Sequence, residues 1–287
     1  MKNVLLTGSH GYIGTNLRDL YGKEYNFVNV DKKVNVRVEN CNDFENIDFI
    51  VHLAAISGIQ NCEDNKQQAV IDNISATLHL MKAAYAFNIP MLFASSQGAK
   101  TPNNTYSFSK YIGEVEAERY GKKYTTIKPL RFANIYGGKQ YLQTKTSVVS
   151  KFLNAYKNKE NLVVHGDGSQ IRDFIHVNEI CKIICGMIEK GDGLECSPID
   201  VGTGIGRSVK ELSDMIDSEN VVYAEGVRSV GVQSNVADTT DLQETLGYTP
   251  EDLLQDYIND MKILQGGKLS AEKNDNENSD RKEEKNK

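Results

Sequence analysis

Three glycines, Gly8, Gly11 and Gly14 in TGSHGYIG, come directly after the short apolar run at 3–7 and directly before a helical pattern. A strand that ends in such a turn and re-enters as a helix opens a βαβ unit. The glycines allow a tight turn, close backbone approach to a diphosphate, and close packing of helix on strand. The start of the helix presents unpaired N–H groups and a partial positive charge to that turn. Asp31 closes the next apolar run at 27–30, near the offset of about 20 residues expected for an acid that hydrogen-bonds a ribose 2′-OH. A carboxylate there repels a 2′-phosphate, so NAD is expected over NADP, although Lys32 and Lys33 beside it pull the other way. A ligand-free turn would carry the same glycines; the strand before, the helix after and the acid beyond decide for a dinucleotide.

Short β-branched runs alternate with longer helical patterns through the first half, which is the signature of a parallel sheet built from βαβ units. Strands are expected at 3–7, 27–30, 48–53, 91–95 and 125–130. Ile71, Ile74, Leu78, Met81 and Tyr85 repeat at steps of three and four, which predicts an amphipathic helix, and a second helix is expected over 106–120. After Gly137 the rhythm changes to a helical segment at 146–156, a short strand in NLVVHG, and a mixture of loop, helix and strand. The expected fold is α/β, a Rossmann-type doubly wound parallel sheet over 1–137 with room for later crossings, and a smaller C-terminal lobe over 138–265 that is mainly substrate-binding. Residues 266–287 hold almost no apolar side chains and are expected to be a disordered charged tail, because they cannot repay the entropy of ordering.

The formal net charge of -6 gives no general attraction for nucleic acid or for an anionic membrane. The apolar run at 4–6 is too short for a signal-peptide core, and the low-polarity stretch at 49–56 contains His52 and is far short of a membrane span. Five cysteines without a C-x-x-C pair support neither a disulfide framework nor a zinc site, so no metal is expected and a reducing cytoplasm is the default.

The segment ASSQGAKTPNNTYSFSK places Ser95 and Ser96 at the end of a parallel strand, where open α/β sheets bind ligands, and sets Tyr106 and Lys110 four apart on a helix, hence on one face. Hydride transfer from an alcohol requires a base for the hydroxyl proton. Bringing a phenol from its ordinary value of about 10 toward 7 needs roughly 4 kcal/mol. A cation some 4 Å away at an effective dielectric near 20 supplies about that much. Lys110 is therefore expected to lower Tyr106, with Ser96 hydrogen-bonded to the reacting oxygen. A shared Tyr/Lys helix face also arises from solvation alone; the ordered combination with the glycine turn, the acid and the serine pair favours chemistry.

These segments together resemble the extended short-chain dehydrogenases/reductases of the NAD-dependent sugar-nucleotide epimerase/dehydratase family, from Lys2 to about Tyr257. TGSHGYIG resembles the cofactor loop, which implies contacts from Gly8, Gly11, Tyr12, Ile13 and Gly14. VHLAA resembles the strand and turn over the cofactor and implies Leu53, Ala54 and Ala55. DNISATLHLMKAA resembles the helix that contributes Asn73, and FASS with YSFSK implies Ser96, Tyr106 and Lys110 as catalytic residues, the last two also touching cofactor. PLRFANIYG implies that Asn134 contacts the substrate diphosphate, GDGSQIRDFIHV implies the same of Arg172, and VRSVGVQSNVADTTDLQETLGY implies it of Arg228. Apart from the resemblance, two arginines in an otherwise acidic lobe suit a bidentate clamp on a diphosphate, with surface ion pairing as the alternative. A homodimer paired through the helix after Asn73 and the Tyr106 helix is also implied.

Two departures from the family pattern bear on function. Only nine residues separate Ser96 from Tyr106, fewer than the family usually has, which leaves open whether Ser95 or Ser96 faces the site. Gln97 and Gly98 stand where dehydratases carry an acid and a base, so dehydration and decarboxylation are disfavoured. The expected activity is 4-epimerisation of a nucleoside-diphosphate hexose through a transient 4-keto sugar. A 4-ketosugar-nucleotide reductase that consumes NAD(P)H, or a non-catalytic dinucleotide-binding protein, are the alternatives.

Overall fold

In the computed structural model, residues 1–34, 38, 43–121, 126–138, 147–224 and 233–264 are described. The chain begins with β1 (Asn3–Thr7), α1 (Tyr12–Tyr21), β2 (Asn26–Val30), β3 (Phe49–His52) and α2 (Ile59–Asp64). Helix α3 starts as Lys66–Ala69, widens to a π-helical turn at Val70–Ser75 and continues as Ala76–Phe87. Then come β4 (Met91–Ser96), α4 (Thr105–Gly121), β5 (Ile127–Phe132), β6 (Asn134–Tyr136), α5 (Val148–Asn158), β7 (Leu162–His165) and β8 (Ile171–His176). The chain continues with α6 (Val177–Lys190), β9 (Ile199–Val201), β10 (Gly206–Ser208), α7 (Val209–Asp217), β11 (Val221–Ala224), β12 (Ser234–Asn235), α8 (Thr240–Leu246) and a last helix at 254–264.

Six strands form one sheet in the order β2-β1-β3-β4-β5-β9, and every pair in it is parallel. Parallel sheets are buried on both faces, so their strands read as near-continuous apolar runs, as VLL, FIV and MLFA do here. Alternation divides each strand between two cores. Val4, Leu6, Leu92 and Ala94 face a cluster shared with α1 and α6, while Leu5, Met91 and Phe93 face a cluster built with α3 and α4. Both faces are therefore closed by helices, which is the doubly wound architecture.

The chain beyond 137 is divided between this body and a smaller lobe. Helix α6 and strand β9 return to the six-stranded sheet, where Ile180, Ile184, Ile199 and Val201 join the first cluster. The lobe is held by a third cluster that includes Phe152, Leu153, Val164, Phe174, Leu212 and Ile258. Its strands are short: β8 is flanked by β10 and β12 and also pairs with β6, and β7 pairs with β11. The helix expected from the 71–85 periodicity is present but begins earlier and contains the π turn, within which Asp72 and Asn73 are buried. The expected charged tail at 266–287 lies outside the described residues.

Candidate active site

The chain leaves β1 toward β2 on one side and returns to β3 on the other. Ligands of open α/β sheets bind at such a switch point, and a cavity of about 500 Å³ lies there. Gly8 forms its floor with φ +67°, and its N–H donates to the Val30 carbonyl at 2.9 Å. A Cβ on Gly8 would lie 2.8 Å from the Ala54 nitrogen, and one on Gly14 would lie 2.3 Å from the Gly8 oxygen. The two loops thus pass as closely as bare backbone permits, and α1 opens at Gly11 with no side-chain cap and no acidic residue in its first turn. Asp31 stands at the wall; its oxygens accept the His10 N–H at 3.0 Å and the Lys33 N–H at 2.9 Å. Lys32 is paired with Asp72, and the Lys33 ammonium donates to the His10 carbonyl at 3.0 Å. Both neighbouring cations are engaged, which removes their weight against NAD.

Behind the cradle, buried His52 ties three segments together. Thr77 gives its only hydroxyl proton to the Asn73 carbonyl at 2.7 Å, so it must accept from His52 Nε2–H at 2.9 Å. His52 Nδ1 then accepts from Thr7 Oγ1 at 2.7 Å, and Thr7 Oγ1 in turn accepts the Ala54 N–H at 3.2 Å. Burial first, and the charge of Lys110 second, push the imidazole down to about 3, which keeps it in the neutral form this chain of bonds requires.

At the end of β4 strand alternation sends the two serines to opposite faces. Ser96 hydrogen-bonds Tyr106 and accepts the Gly98 N–H at 3.2 Å, whereas Ser95 donates to Glu114 Oε1 at 2.5 Å. Both serines line the cavity, and the Ser95 hydroxyl is committed to Glu114. Helix α4 is capped twice: Asn104 Oδ1 accepts the Ser107 N–H at 2.9 Å, and Glu63 of α2 accepts the Thr105 N–H at 2.9 Å. The Thr105 amide, with Lys66, holds the Glu63 carboxyl down at about 2. A Cβ on Gly113 would lie 2.5 Å from the Phe93 ring, so this glycine lets α4 close onto β4. Lys110, 4% exposed, then sits with Nζ 5.1 Å from the Phe93 centroid and 5.9 Å from the Tyr106 centroid.

The electrostatics of this pair correct the sequence reading. Burial pushes the Tyr106 phenol up to about 12 despite the opposing hydrogen bond from Ser96, and burial brings the Lys110 ammonium down to about 8. The lysine loses its charge before the phenol would ionise, so near neutral pH the ligand-free pair rests as phenol and ammonium. The expected lowering of Tyr106 by Lys110 is not among the causes that set this phenol, which are burial, the opposing Ser96 hydroxyl and the Cys62 thiol.

On the substrate side, β6 and β8 pair with Asn134 opposite Phe174, so Asn134 and Arg172 share a face of adjacent strands. Asn134 donates to the Asp173 carbonyl at 3.1 Å; Arg172 donates to the Ile171 carbonyl at 2.7 Å and to Gln170 Oε1 at 3.1 Å. Neither lines the cavity at the glycine turn. Arg228 lies outside the described residues, but the segment after it is pinned by two buried carboxylates. Asp173 accepts the Ala237 N–H at 3.2 Å and Asp200 accepts the Asp238 N–H at 3.0 Å.

The family described as the NAD dependent epimerase/dehydratase family matches residues 4–202. The chain belongs to the NAD-dependent epimerase/dehydratase family. It is 27% identical over 238 residues to the GDP-6-deoxy-D-talose 4-dehydrogenase of Aggregatibacter actinomycetemcomitans, covering 74% of this chain and 78% of that one. It is 24% identical over 304 residues to the UDP-glucose 4-epimerase of Mycolicibacterium smegmatis, covering 89% and 96%. The UDP-glucose 4-epimerase structure from Thermotoga maritima shares the fold with a TM-score of 0.78 at 24% identity, covering 93% of this chain and 99% of that one.

The cofactor of the epimerase/dehydratase family, NAD, suits the cradle: backbone at Gly8 and Gly14 leaves no room for side chains, the helix start is uncapped, and an acid stands at the wall. The residues assigned to cofactor from the sequence line the cavity with one exception. Asn73 instead spends its side chain on Ile56, accepting from its N–H at 2.7 Å and donating to its carbonyl at 3.0 Å. It braces the loop that covers the cavity. Sequence reasoning missed His52, Glu63 and Glu114. Only Glu114 carried a local signal, lying four residues beyond Lys110 as Lys110 lies four beyond Tyr106.

Proposed function

We propose that the protein interconverts the C4 epimers of a nucleoside-diphosphate hexose. The reading rests on one observation, that Ser96, Tyr106 and Lys110 line the same cavity as the dinucleotide cradle, with the Lys110 ammonium 5.9 Å from the Tyr106 ring centroid. NAD, held by Gly8, Gly11, Gly14 and Asp31, supplies a hydride acceptor that is restored at the end of each cycle. With the positive nicotinamide ring of bound NAD added to the Lys110 ammonium, Tyr106 would stand as a phenolate whose Oη removes the proton of the sugar 4-hydroxyl and later returns it, while Ser96 holds that oxygen. Lys110 balances the phenolate charge, and it is protonated below about pH 8. The 4-keto sugar turns over between the two half-reactions while Asn134 and Arg172, with Arg228 as a third contact, hold its diphosphate. No acid–base pair for elimination follows Ser96: Gln97 donates to the Arg131 carbonyl at 3.1 Å, and Gly98 has no side chain.

A panel of UDP-, dTDP- and GDP-hexoses followed by chromatography tests the reading. Interconversion of one sugar pair, lost in Tyr106→Phe, is the expected result; no epimerisation by wild type overturns it. The resemblance to a 4-dehydrogenase favours a second reading as a 4-ketosugar-nucleotide reductase. Steady oxidation of added NADH or NADPH with a keto sugar supports that one. Tight NAD binding without turnover of any sugar nucleotide leaves a non-catalytic role.

The active form in this reading is a homodimer. Phe108, Tyr111 and Val115 form an exposed stripe on α4 beside exposed Val70 and Ile71 of α3, and a second copy would cover it. A shift from dimer to monomer on sizing columns for Phe108→Glu is expected. The working compartment is the cytoplasm, where the free thiols Cys62, Cys181, Cys185 and Cys196 stay reduced. Among the described residues no helix is long and apolar enough to cross a membrane.

A further inference from the structure

Ser95, Arg131 and Asp200 are direct register partners across β4, β5 and β9, so they form one lateral row at the carboxyl edge of the sheet. Charged side chains join the row from both sides. Glu114 of α4 grips Arg131 with two bonds, 2.9 Å from Nε and 2.7 Å from Nη2, while it accepts from Ser95. Arg131 Nη1 lies 3.8 Å from Asp200, and Asp200 pairs with Lys100. The result is an alternating chain, Glu114, Arg131, Asp200, Lys100, whose carboxylates are 4% and 6% exposed. Its two ends belong to the two segments that bring Ser96 and Tyr106 to one cavity. Glu114 lies on the helix that carries Tyr106 and Lys110, and Lys100 lies in the short connection that follows Ser96. Gln97, the residue after Ser96, also donates to the Arg131 carbonyl at 3.1 Å.

From this geometry we infer that the Lys100–Asp200–Arg131–Glu114 chain is a positioning device that clamps the short Ser96–Tyr106 connection and sets where Ser96 stands relative to Tyr106 in the cavity they both line. Lys100 is its outer fastening, 37% exposed at the side chain, and so the member that can be altered with least harm to the core. The chain acts through Ser96; none of its four members touches the reacting atoms. The inference rests on the functional reading only for its kinetic arm, since the ion-pair chain and the placement of Ser96 and Tyr106 in one cavity stand apart from any turnover.

The test uses full-length protein with carbon-labelled tyrosine, the Tyr106 ring resonance being assigned by its disappearance in Tyr106→Phe. Lys100→Met is expected to move that resonance in the direction that Ser96→Ala moves it, and to add nothing in the Ser96→Ala background. Lys100→Arg, which restores the pair with Asp200, is expected to return it. An unmoved resonance in Lys100→Met, or additive shifts in the double variant, overturns the inference whatever the protein turns over. Where wild type epimerises a sugar, Lys100→Met should lower kcat by about tenfold with KM nearly unchanged, given that an ångström of misplacement can cost about a hundredfold. The same non-additivity with Ser96→Ala is required there. A lower Tm with unchanged kcat and unchanged resonance marks a merely structural pair and also overturns it.

Discussion

The two ends of the candidate site are built in opposite ways. At the cofactor end the ligand-facing surface is backbone, tied in place by the Gly8, His10 and Gly11 N–H groups donating to protein oxygens and by glycines that cannot be replaced without a clash at 2.3 to 2.8 Å. At the other end the groups proposed to hold the diphosphate are side chains, Asn134 and Arg172, whose hydrogen bonds go to protein oxygens. The first end is rigid before a ligand arrives; the second has to exchange partners when a diphosphate comes. The comparison teaches that affinity for the dinucleotide is intrinsic to the loop, while affinity for the sugar nucleotide depends on what the lobe gives up.

Tyr106→Phe should produce the largest effect, a loss of turnover of about 10²- to 10⁴-fold, the range of a positioned acid–base group. Bound NAD should stay near the wild-type level, because the substitution removes one hydroxyl from a cavity whose diphosphate cradle is the backbone of Gly8, Gly11 and Gly14. Loss of NAD in this variant would break the comparison at its first term. Arg172→Ala should raise the KM for the sugar nucleotide by about 10- to 100-fold, as expected for a charge-assisted bond to phosphate. NAD content read by absorbance should be unaffected, and Arg172→Lys should recover part of the loss.

Gly8→Ala acts on the other end. A methyl group at φ +67° and 2.8 Å from the Ala54 nitrogen should lower stability by about 1–3 kcal/mol and strip the protein of NAD. Melting curves with and without added NAD would reveal it. A variant that keeps both stability and cofactor would show that the loop is less rigid than described.

The buried lysine offers a sharper probe of the cofactor end. Because burial lowers Lys110 from 10.5 to about 8, the unfolded chain binds more protons than the native one between those values. Its contribution to stability therefore rises with pH across that window, by up to about 1.4 kcal/mol per unit. Tyr106, raised from 10.0 to about 12, works in the opposite direction only above pH 10. Urea unfolding just below and just above pH 8 should show the rise in wild type and not in Lys110→Met. The smallest effect belongs to Glu63→Gln, which keeps an acceptor for the Thr105 amide but removes its charge. Glu63 is lowered from 4.5 to about 2, so its contribution is complete above pH 4.5 and lost as pH falls through 2. A slight drop in Tm at neutral pH, absent at the acid end, is the expected pattern.

Much of the cofactor end was legible because it is made of short-range spacing. TGSHGYIG and Asp31 lie within one βαβ unit, and Tyr106 and Lys110 are one helical turn apart, so neighbours in sequence are neighbours in space. The strands were legible for the same reason: burial on both faces forces continuous apolar runs such as MLFA. Asn73, assigned to cofactor through the resemblance of DNISATLHLMKAA, instead hydrogen-bonds the Ile56 backbone from within the π turn, a long-range pairing that no local pattern carries. The expected effect of Lys110 on Tyr106 missed because charge and distance can be guessed from a helix, whereas desolvation depends on everything packed around it.

Periodicity and glycine placement, properties of segments about ten residues long, determined the doubly wound sheet, the dinucleotide cradle and the identity of the Tyr/Lys pair. Folding across long separations decided which serine is committed to Glu114, which acids hold Arg131, and how far burial shifts the pair. Glu114, Arg131 and Asp200 come from three different elements and meet only when strands β4, β5 and β9 lie side by side beneath α4. Hydrogen bonds and ion pairs act over a few ångströms without regard to sequence distance, and for that physical reason no local pattern announces them.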